Sequence, residues 1–357
     1  MGQPKYLFIQ ALRGIAALWV VIYHAHEGGH VGASGAGLPS WALLFFEAGW
    51  MGVPIFFALS GFVIAMSVDG AVVTPAFLGK FAARRFIRLD PPYWAAIALT
   101  LAFAAISADV KGESYVPPDA NAVLAHLFYL QVILGYPSIN VIFWTLTFEI
   151  QFYLFFVSMM LLRQKMRGSG TWTSDAIVYG VMFAIAFLWS TRLVSFGSGH
   201  GFFIDFWGSF FIGALAFHGG RSSFAVAGLV VLGVGMLVMG DAPQQAAAVT
   251  GAVLFAALRT GFIVKGLGWR WLQGLGAISY SQYLIHGPVQ GAAFFVTTRF
   301  LPSSGAGQLI SLAVTTGISI IAAICFWQVV ERPSHALARR FGSRSRVPRA
   351  DAVPFSA

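Results

Sequence analysis

Residues 12–25 read LRGIAALWVVIYHA, an apolar stretch with Arg13 at one end and His24 near the other. The run from 8 to 27 that contains it supplies the ~20 residues a helix needs to cross a hydrocarbon core. On such a helix, eleven residues amount to three turns plus about 20°, and to about 16 Å of rise. Arg13 and His24 therefore share one face, the arginine near one boundary and the histidine deep toward the other. A charge and an ionisable ring on a membrane helix are costly, which points to a cavity or a partner that uses them. Snorkelling of Arg13 to the headgroups and capping of the helix end by His24 is the plainer reading of the same two residues.

The rest of the chain reads in the same way. Its 357 residues are 58% hydrophobic and 10% charged, with a mean hydropathy of +0.76. A soluble protein carries about 25% charged residues, so this chain cannot cover itself with polar surface. Apolar runs at 8–27, 43–67, 91–108, 141–162, 176–195, 203–219, 223–240, 246–264, 276–297 and 308–330 predict an all-α polytopic membrane protein of about ten spans. The stretch AVLAHLFYLQVIL at 122–134, with His126 and Gln131, is too short to span and reads as a re-entrant or interfacial helix. Placing both termini in the cytoplasm puts nineteen of the 22 basic residues on that side, leaving Lys111, Arg192 and Arg299 outside. The net charge of +9 thus belongs to short loops and an Arg-rich tail, and argues for membrane orientation rather than for nucleic acid.

Residues 1–333 read as one transmembrane domain and 334–357 as a basic, disordered cytoplasmic tail. The segment 109–140 is the longest outward-facing one and the best place for a lid or an acceptor surface. Cys325 is the single cysteine, so no intramolecular disulfide forms and no thiolate cluster holds a metal. The first apolar run has no small-residue cleavage site after it and is not expected to be a removed signal peptide.

Three further sites carry polar groups where apolar ones are expected. KFAARRFIRLDPPYW at 80–94 gathers Lys80, Arg84, Arg85 and Arg88 before a span. Arg85 and Arg88 share a helix face, and Pro91-Pro92 predicts a break after them. The pair suits a phosphate-bearing anion, and cytoplasmic orientation explains the charges equally well. FWTLTFEIQFYLFF at 143–156 places Glu149 near the middle of a span, with Trp144, Thr145 and Tyr153 beside it; the carboxylate needs a cation or a histidine. LGAISYSQYLIHGPV at 275–289 lines Ser279, Tyr283 and His286 along one face, and Gly287-Pro288 predicts a kink. Ser60-Gly61 in FFALSGFVIA reads as close packing. HEGGH at 26–30 matches a zinc pattern that works only on a helix, which Gly28-Gly29 oppose, and no metal is expected.

Together these motifs resemble the membrane acyltransferase 3 family, which acylates sugars and other hydroxylated acceptors. The resemblance rests on LRGIAALWVVIYH, FFALSGF, RRFIRLDPPYW at 84–94, WTLTFEIQFY at 144–153, ISYSQYLIH at 278–286 and ERP at 331–333, in order along the chain. Asp90 stands where the family often has a neutral residue, and no soluble hydrolase-like domain follows the last span. The resemblance implies an O-antigen or exopolysaccharide type of O-acetyltransferase in a bacterial inner membrane. The donor would be acetyl-CoA or another short acyl-CoA, held by Arg13, Arg85, Arg88 and Tyr93. His24 would act as general base with Glu149, and Trp144, Tyr153, Ser279, Tyr283 and His286 would bind the carbohydrate acceptor. An acyl-histidine relay is the alternative chemistry. The expected partners are acyl-CoA, the glycoconjugate acceptor and the bilayer, and self-association into a homo-oligomer is compatible with this reading. The same intramembrane residues would also suit a proton-coupled transporter using Arg13, His24, Glu149 and His286, and the Arg85/Arg88 pair discriminates between the two.

Overall fold

The computed structural model describes residues 6–32, 38–195 and 201–340, and every regular element among them is helical. The helices are α1 (Leu7–Glu27), α2 (Ser40–Glu47), α3 (Gly52–Val68), α4 (Pro75–Lys111), α5 (Ala120–Leu127), α6 (Trp144–Lys165) and α7 (Thr171–Ser190). They continue with α8 (Ile204–His218), α9 (Ser223–Met239), α10 (Ala242–Arg259), α11 (Phe262–Lys265), α12 (Arg270–Thr297), α13 (Gly305–Phe326) and α14 (Arg332–Arg340). Six helical stretches are long and apolar enough to cross a membrane by length and composition: Leu7–Glu27, Ser40–Val68, Pro75–Lys111, Val141–Lys165, Thr171–Ser190 and Gly305–Arg340. α8 and α9 are apolar but shorter.

α8 sits at the centre. Every residue from Trp207 to Phe217 is buried, as expected of a helix that is apolar all round. It crosses α3 at very close range: a Cβ at Gly61 would land on the Phe210 carbonyl, and one at Gly213 on the Ala58 carbonyl. Such contact needs small residues, because in a bilayer helices associate by packing rather than by expulsion of water. Around this crossing Phe210 stacks on Phe57 at 4.3 Å and on Phe152 at 4.1 Å. The expected effect of Gly61→Leu is a loss of about 3 kcal/mol or more from overpacking, read as a lower melting temperature in detergent. A melting curve like that of the wild type would contradict the backbone contact.

A second close crossing joins α1 to α12, where Gly14 faces the backbone of Leu275 and Gly276. The neighbour of Gly14 is Arg13, so this crossing fixes where that side chain leaves α1. Helix ends are tied by ion pairs: Arg221 to Asp69 at 2.5 Å, Arg163 to Asp175 at 2.5 Å, and Arg192 to Asp241.

Several sequence expectations change here. α4 does not break at Pro91-Pro92 but runs for 37 residues, about 55 Å. Prolines inside a membrane helix are tolerated when neighbours compensate; the carbonyls that Pro91 and Pro92 leave without an amide are those of Ile87 and Arg88, and one residue on, the Tyr280 hydroxyl of α12 donates to the Leu89 carbonyl at 3.0 Å. α4 is thus longer than the ~30 Å thickness of a hydrocarbon core. α12 is continuous through Gly287-Pro288, where the sequence places a kink rather than a break. The expected helix at 122–134 is shorter, ending at Leu127. There His126, buried and thereby pushed below the usual imidazole pKa, is neutral. Its Nε2 accepts from the Ile139 amide at 3.0 Å, so Nδ1 carries the proton and donates to the Ala122 carbonyl at 2.7 Å. Residues 334–340, expected to be disordered, form α14, packed on α4; the rest of the expected tail, 341–357, lies outside the described residues.

Candidate active site

Two chambers adjoin in the middle of the bundle. The first has a volume of about 110 Å³. Its walls come from five helices: Arg13 from α1, Val53 to Val63 from α3, Arg85, Arg88 and Leu89 from α4, Thr145, Leu146, Glu149 and Tyr153 from α6, and Ser279, Tyr280 and Tyr283 from α12. Three guanidinium groups therefore converge on one cavity from two helices that are far apart in sequence. Neither Arg13 nor Arg85 has a carboxylate within ion-pair distance among the described residues. Arg85 instead lies over the Tyr153 ring at 4.6 Å, a cation–π contact that fixes its direction. Glu149 is engaged from its own side of the chamber: Ser60 donates to Oε1 at 2.8 Å, and the Tyr153 hydroxyl donates to the same oxygen.

The second chamber, about 260 Å³, carries His24. Its other walls are mostly aromatic or apolar, with Tyr23, Trp50, Trp144 and Phe206 prominent and no carboxylate or basic chain besides the imidazole. Val53, Phe57 and Tyr283 line both chambers and so form the waist between them. Behind His24 the His286 ring lies with its centroid 5.2 Å away. His286 Nδ1 bonds the Tyr283 carbonyl at 2.8 Å, which places the proton there and leaves Nε2 as a buried acceptor without a partner among the described residues.

A charged chamber and a histidine chamber in one helical bundle match a known pattern of sequence. Residues 6–328 fit the family model named Acyl_transf_3 and described as an acyltransferase domain. The chain belongs to the acyltransferase 3 family. It is 30% identical over 150 residues to the "Putative acetyltransferase ORF330" of Acidianus two-tailed virus, which covers 41% of this chain and 38% of that protein. It is 33% identical over 103 residues to the "Protein 2 in picA locus" of Rhizobium radiobacter, covering 28% of this chain and 46% of that one. The chain thus spans less than half the length of either curated relative. No solved structure matches it.

The residues that carry the family resemblance fall into the two chambers unequally. Arg13, Arg85, Arg88, Glu149, Tyr153 and Ser279 line the first, Trp144 and His24 the second, and Tyr283 both. Glu149, expected beside His24, bonds Ser60 and Tyr153 in the arginine chamber. Ser279, expected to bind acceptor with His286, is seven residues and so about 10 Å from it along α12, and lines the arginine chamber. His286 touches His24 but lies on the wall of neither chamber. Tyr93, expected to hold the donor, is wholly buried and stacked on Tyr129 at 4.6 Å. It follows Arg88 by five residues, about 140° round the helix, and so cannot share its face.

Some members of the site escaped the sequence reading. Ser60, taken as packing beside Gly61, is also the donor to Glu149. His335 holds Arg88 from a distant part of the chain, with Glu331 beside it. Arg88 Nε donates to His335 Nε2 at 3.0 Å, so His335 is neutral with its proton on Nδ1. The Glu331 carboxylate, 3.4 Å from the same nitrogen, is therefore held not by His335 but by the Ser281 amide at 3.1 Å and the Ser281 hydroxyl at 2.5 Å. The ERP motif was the one sequence signal for this network. In the HEGGH stretch, α1 ends at Glu27 and the two histidines part: His26 Nδ1 bonds the Val31 carbonyl at 2.8 Å, while the His30 ring stacks on Phe294 at 4.4 Å.

Proposed function

We propose that this acyltransferase moves an acetyl or similar short acyl group from acyl-CoA to a hydroxyl of a carbohydrate acceptor, such as exopolysaccharide, O-antigen or a lipid-linked sugar. The observation that carries the reading is the pairing of a three-arginine chamber with an adjoining chamber that holds His24. Acyl-CoA has a polyanionic head and a long neutral arm. Guanidinium groups suit the phosphates, since they donate planar, charge-assisted hydrogen bonds. Arg13 and His24 lie about 16 Å apart along the continuous α1, a separation that suits an elongated donor with phosphates at one end and a thioester at the other.

His24 then takes the proton from the acceptor hydroxyl as the oxygen attacks the thioester carbonyl. The new C–O bond forms, the C–S bond breaks, and the proton passes from the imidazolium to the departing thiolate. The products are the O-acyl ester and free CoA. The acceptor Nε2 of His286 has no partner among the described residues and can receive a ring N–H or a water held beside His24, which fixes the working tautomer. Trp144, Tyr23 and Trp50 offer flat apolar faces suited to the C–H face of a sugar ring.

The membrane setting extends the six long apolar helices to ten spans, with α8, α9, α10 and α12 crossing as well and both termini in the cytoplasm of a bacterial inner membrane. Two features support this. Nineteen of the 22 basic residues fall on that side. The ion pairs Arg221–Asp69, Arg163–Asp175 and Arg192–Asp241 each join helix ends that this topology places on one side.

Deletion in the source strain should remove O-acyl groups from its glycans, read by mass spectrometry and restored by the wild-type chain; unchanged glycans would remove the acceptor reading. The Arg88–His335 bond gives a second test. His335→Ala should raise KM for acetyl-CoA about tenfold and leave kcat nearly constant, because a hydrogen bond to a charged group contributes about 1.5–3 kcal/mol. A lowered kcat at constant KM would instead place His335 in the chemistry.

A further inference from the structure

We infer that the waist formed by Val53, Phe57 and Tyr283 selects the donor by the cross-section of its acyl group, passing unbranched chains and rejecting branched ones. The inference rests on the acyl-CoA reading above, under which the acyl end must leave the arginine chamber and cross the waist to reach His24. The nucleotide head is far too large and too charged to follow it, so the acyl group leads and only the slender arm comes after.

Two of the three waist residues are held in place from behind. Phe57 is clamped between Phe210, stacked at 4.3 Å, and Phe206, edge-on at 5.6 Å. Tyr283 is pinned by its hydroxyl to the Thr145 hydroxyl at 2.8 Å and the Ile142 carbonyl at 3.3 Å, with the edge of Phe56 against its ring at 5.8 Å. Neither ring can swing aside without giving up these contacts, and buried aromatic packing resists such movement. These two rings therefore make a firm boundary between the chambers, with Val53 as its smallest member.

What lies beyond the waist decides which property of the acyl group is sensed. The His24 chamber, at about 260 Å³, is largely apolar, so extra methylenes at the end of a straight chain have somewhere to go. A branch next to the carbonyl must instead pass or occupy the waist itself. Cross-section, rather than length, is what this geometry discriminates. Pockets commonly separate substrates by about tenfold or more for one misplaced carbon.

The test compares acetyl-, butyryl- and isobutyryl-CoA as donors. Purified protein is added to membranes of a deletion strain, which carry the native acceptor, and CoA thiol release is followed. Butyryl transfer should fall within about tenfold of acetyl, and isobutyryl at least about tenfold below butyryl. In Val53→Ala the isobutyryl-to-butyryl ratio of kcat/KM should rise about tenfold, with folding checked by thermal melting. Phe57→Leu supplies a second opening of the same aperture if the first variant is unstable. Equal use of the two butyryl isomers by the wild type, or a ratio that neither variant moves, overturns the inference and leaves the acyltransferase reading standing. No thiol release from any of the three donors overturns the acyl-CoA reading itself, and the waist proposal with it.

Discussion

Replacing His24 with alanine is expected to lower acyl transfer by about 10²–10⁴-fold, the usual contribution of a positioned general base, while the protein still inserts and folds. Imidazole is the side chain best able to accept a hydroxyl proton near neutrality and return it to the leaving thiolate. His24 projects into a cavity and meets its neighbours through ring contacts with Tyr23 and His286, so its loss removes a reactive group rather than a structural tie. Normal glycan acylation by a well-folded His24→Ala protein would falsify the assignment. The same variant separates direct transfer from an acyl-histidine relay. Brief exposure of the wild type to labelled acetyl-CoA without acceptor should leave the protein unlabelled if transfer is direct, whereas label that vanishes in His24→Ala would establish the relay.

The double variant Arg85→Ala/Arg88→Ala is expected to lose binding of a non-hydrolysable CoA analogue by about two orders of magnitude. Each guanidinium lost removes charge-assisted hydrogen bonds of about 1.5–3 kcal/mol, and Arg13 alone cannot replace a converging set. The effect should shrink in high salt for the wild type, since the interaction is largely between charges. Isothermal titration in detergent reads both results. A transporter that moved protons through Arg13, His24, Glu149 and His286 would have no use for this clamp, so undiminished analogue binding in the double variant would reopen that reading. The structure already separates two of those four, placing Glu149 with Ser60 and Tyr153 in the arginine chamber and His24 in the next.

Much of the molecule was legible in the chain. Composition forced a helical membrane protein, because a chain with 10% charged residues has no means of covering itself in water. The spacing of Arg13 and His24 placed both on one face of α1, since helical periodicity is local and needs no knowledge of neighbours. The pairing of Arg85 with Arg88 on one face follows by the same rule, and both do line one cavity with Arg13. Where a local rule failed, a distant partner had overruled it. Pro91-Pro92 marks a break in an isolated helix, yet α4 runs on through both prolines, packed against the distant α12. Tyr93 belongs to the motif that carries the arginines, yet its angle round the helix sends it into the core against Tyr129.

Sequence by itself therefore determined the class of molecule, the helices and the polar residues worth explaining, all of which depend on composition and on a period of 3.6 residues. Tertiary structure alone decided their allocation. It put Glu149 with the arginines rather than with His24, tied Arg88 to His335 across 247 positions, and set Val53, Phe57 and Tyr283 as a waist between two chambers. These are contacts between helices, fixed by close crossings such as Gly61 on Phe210 and Gly14 on Gly276. No local pattern encodes which helices meet, because that choice depends on how all their surfaces pack at once.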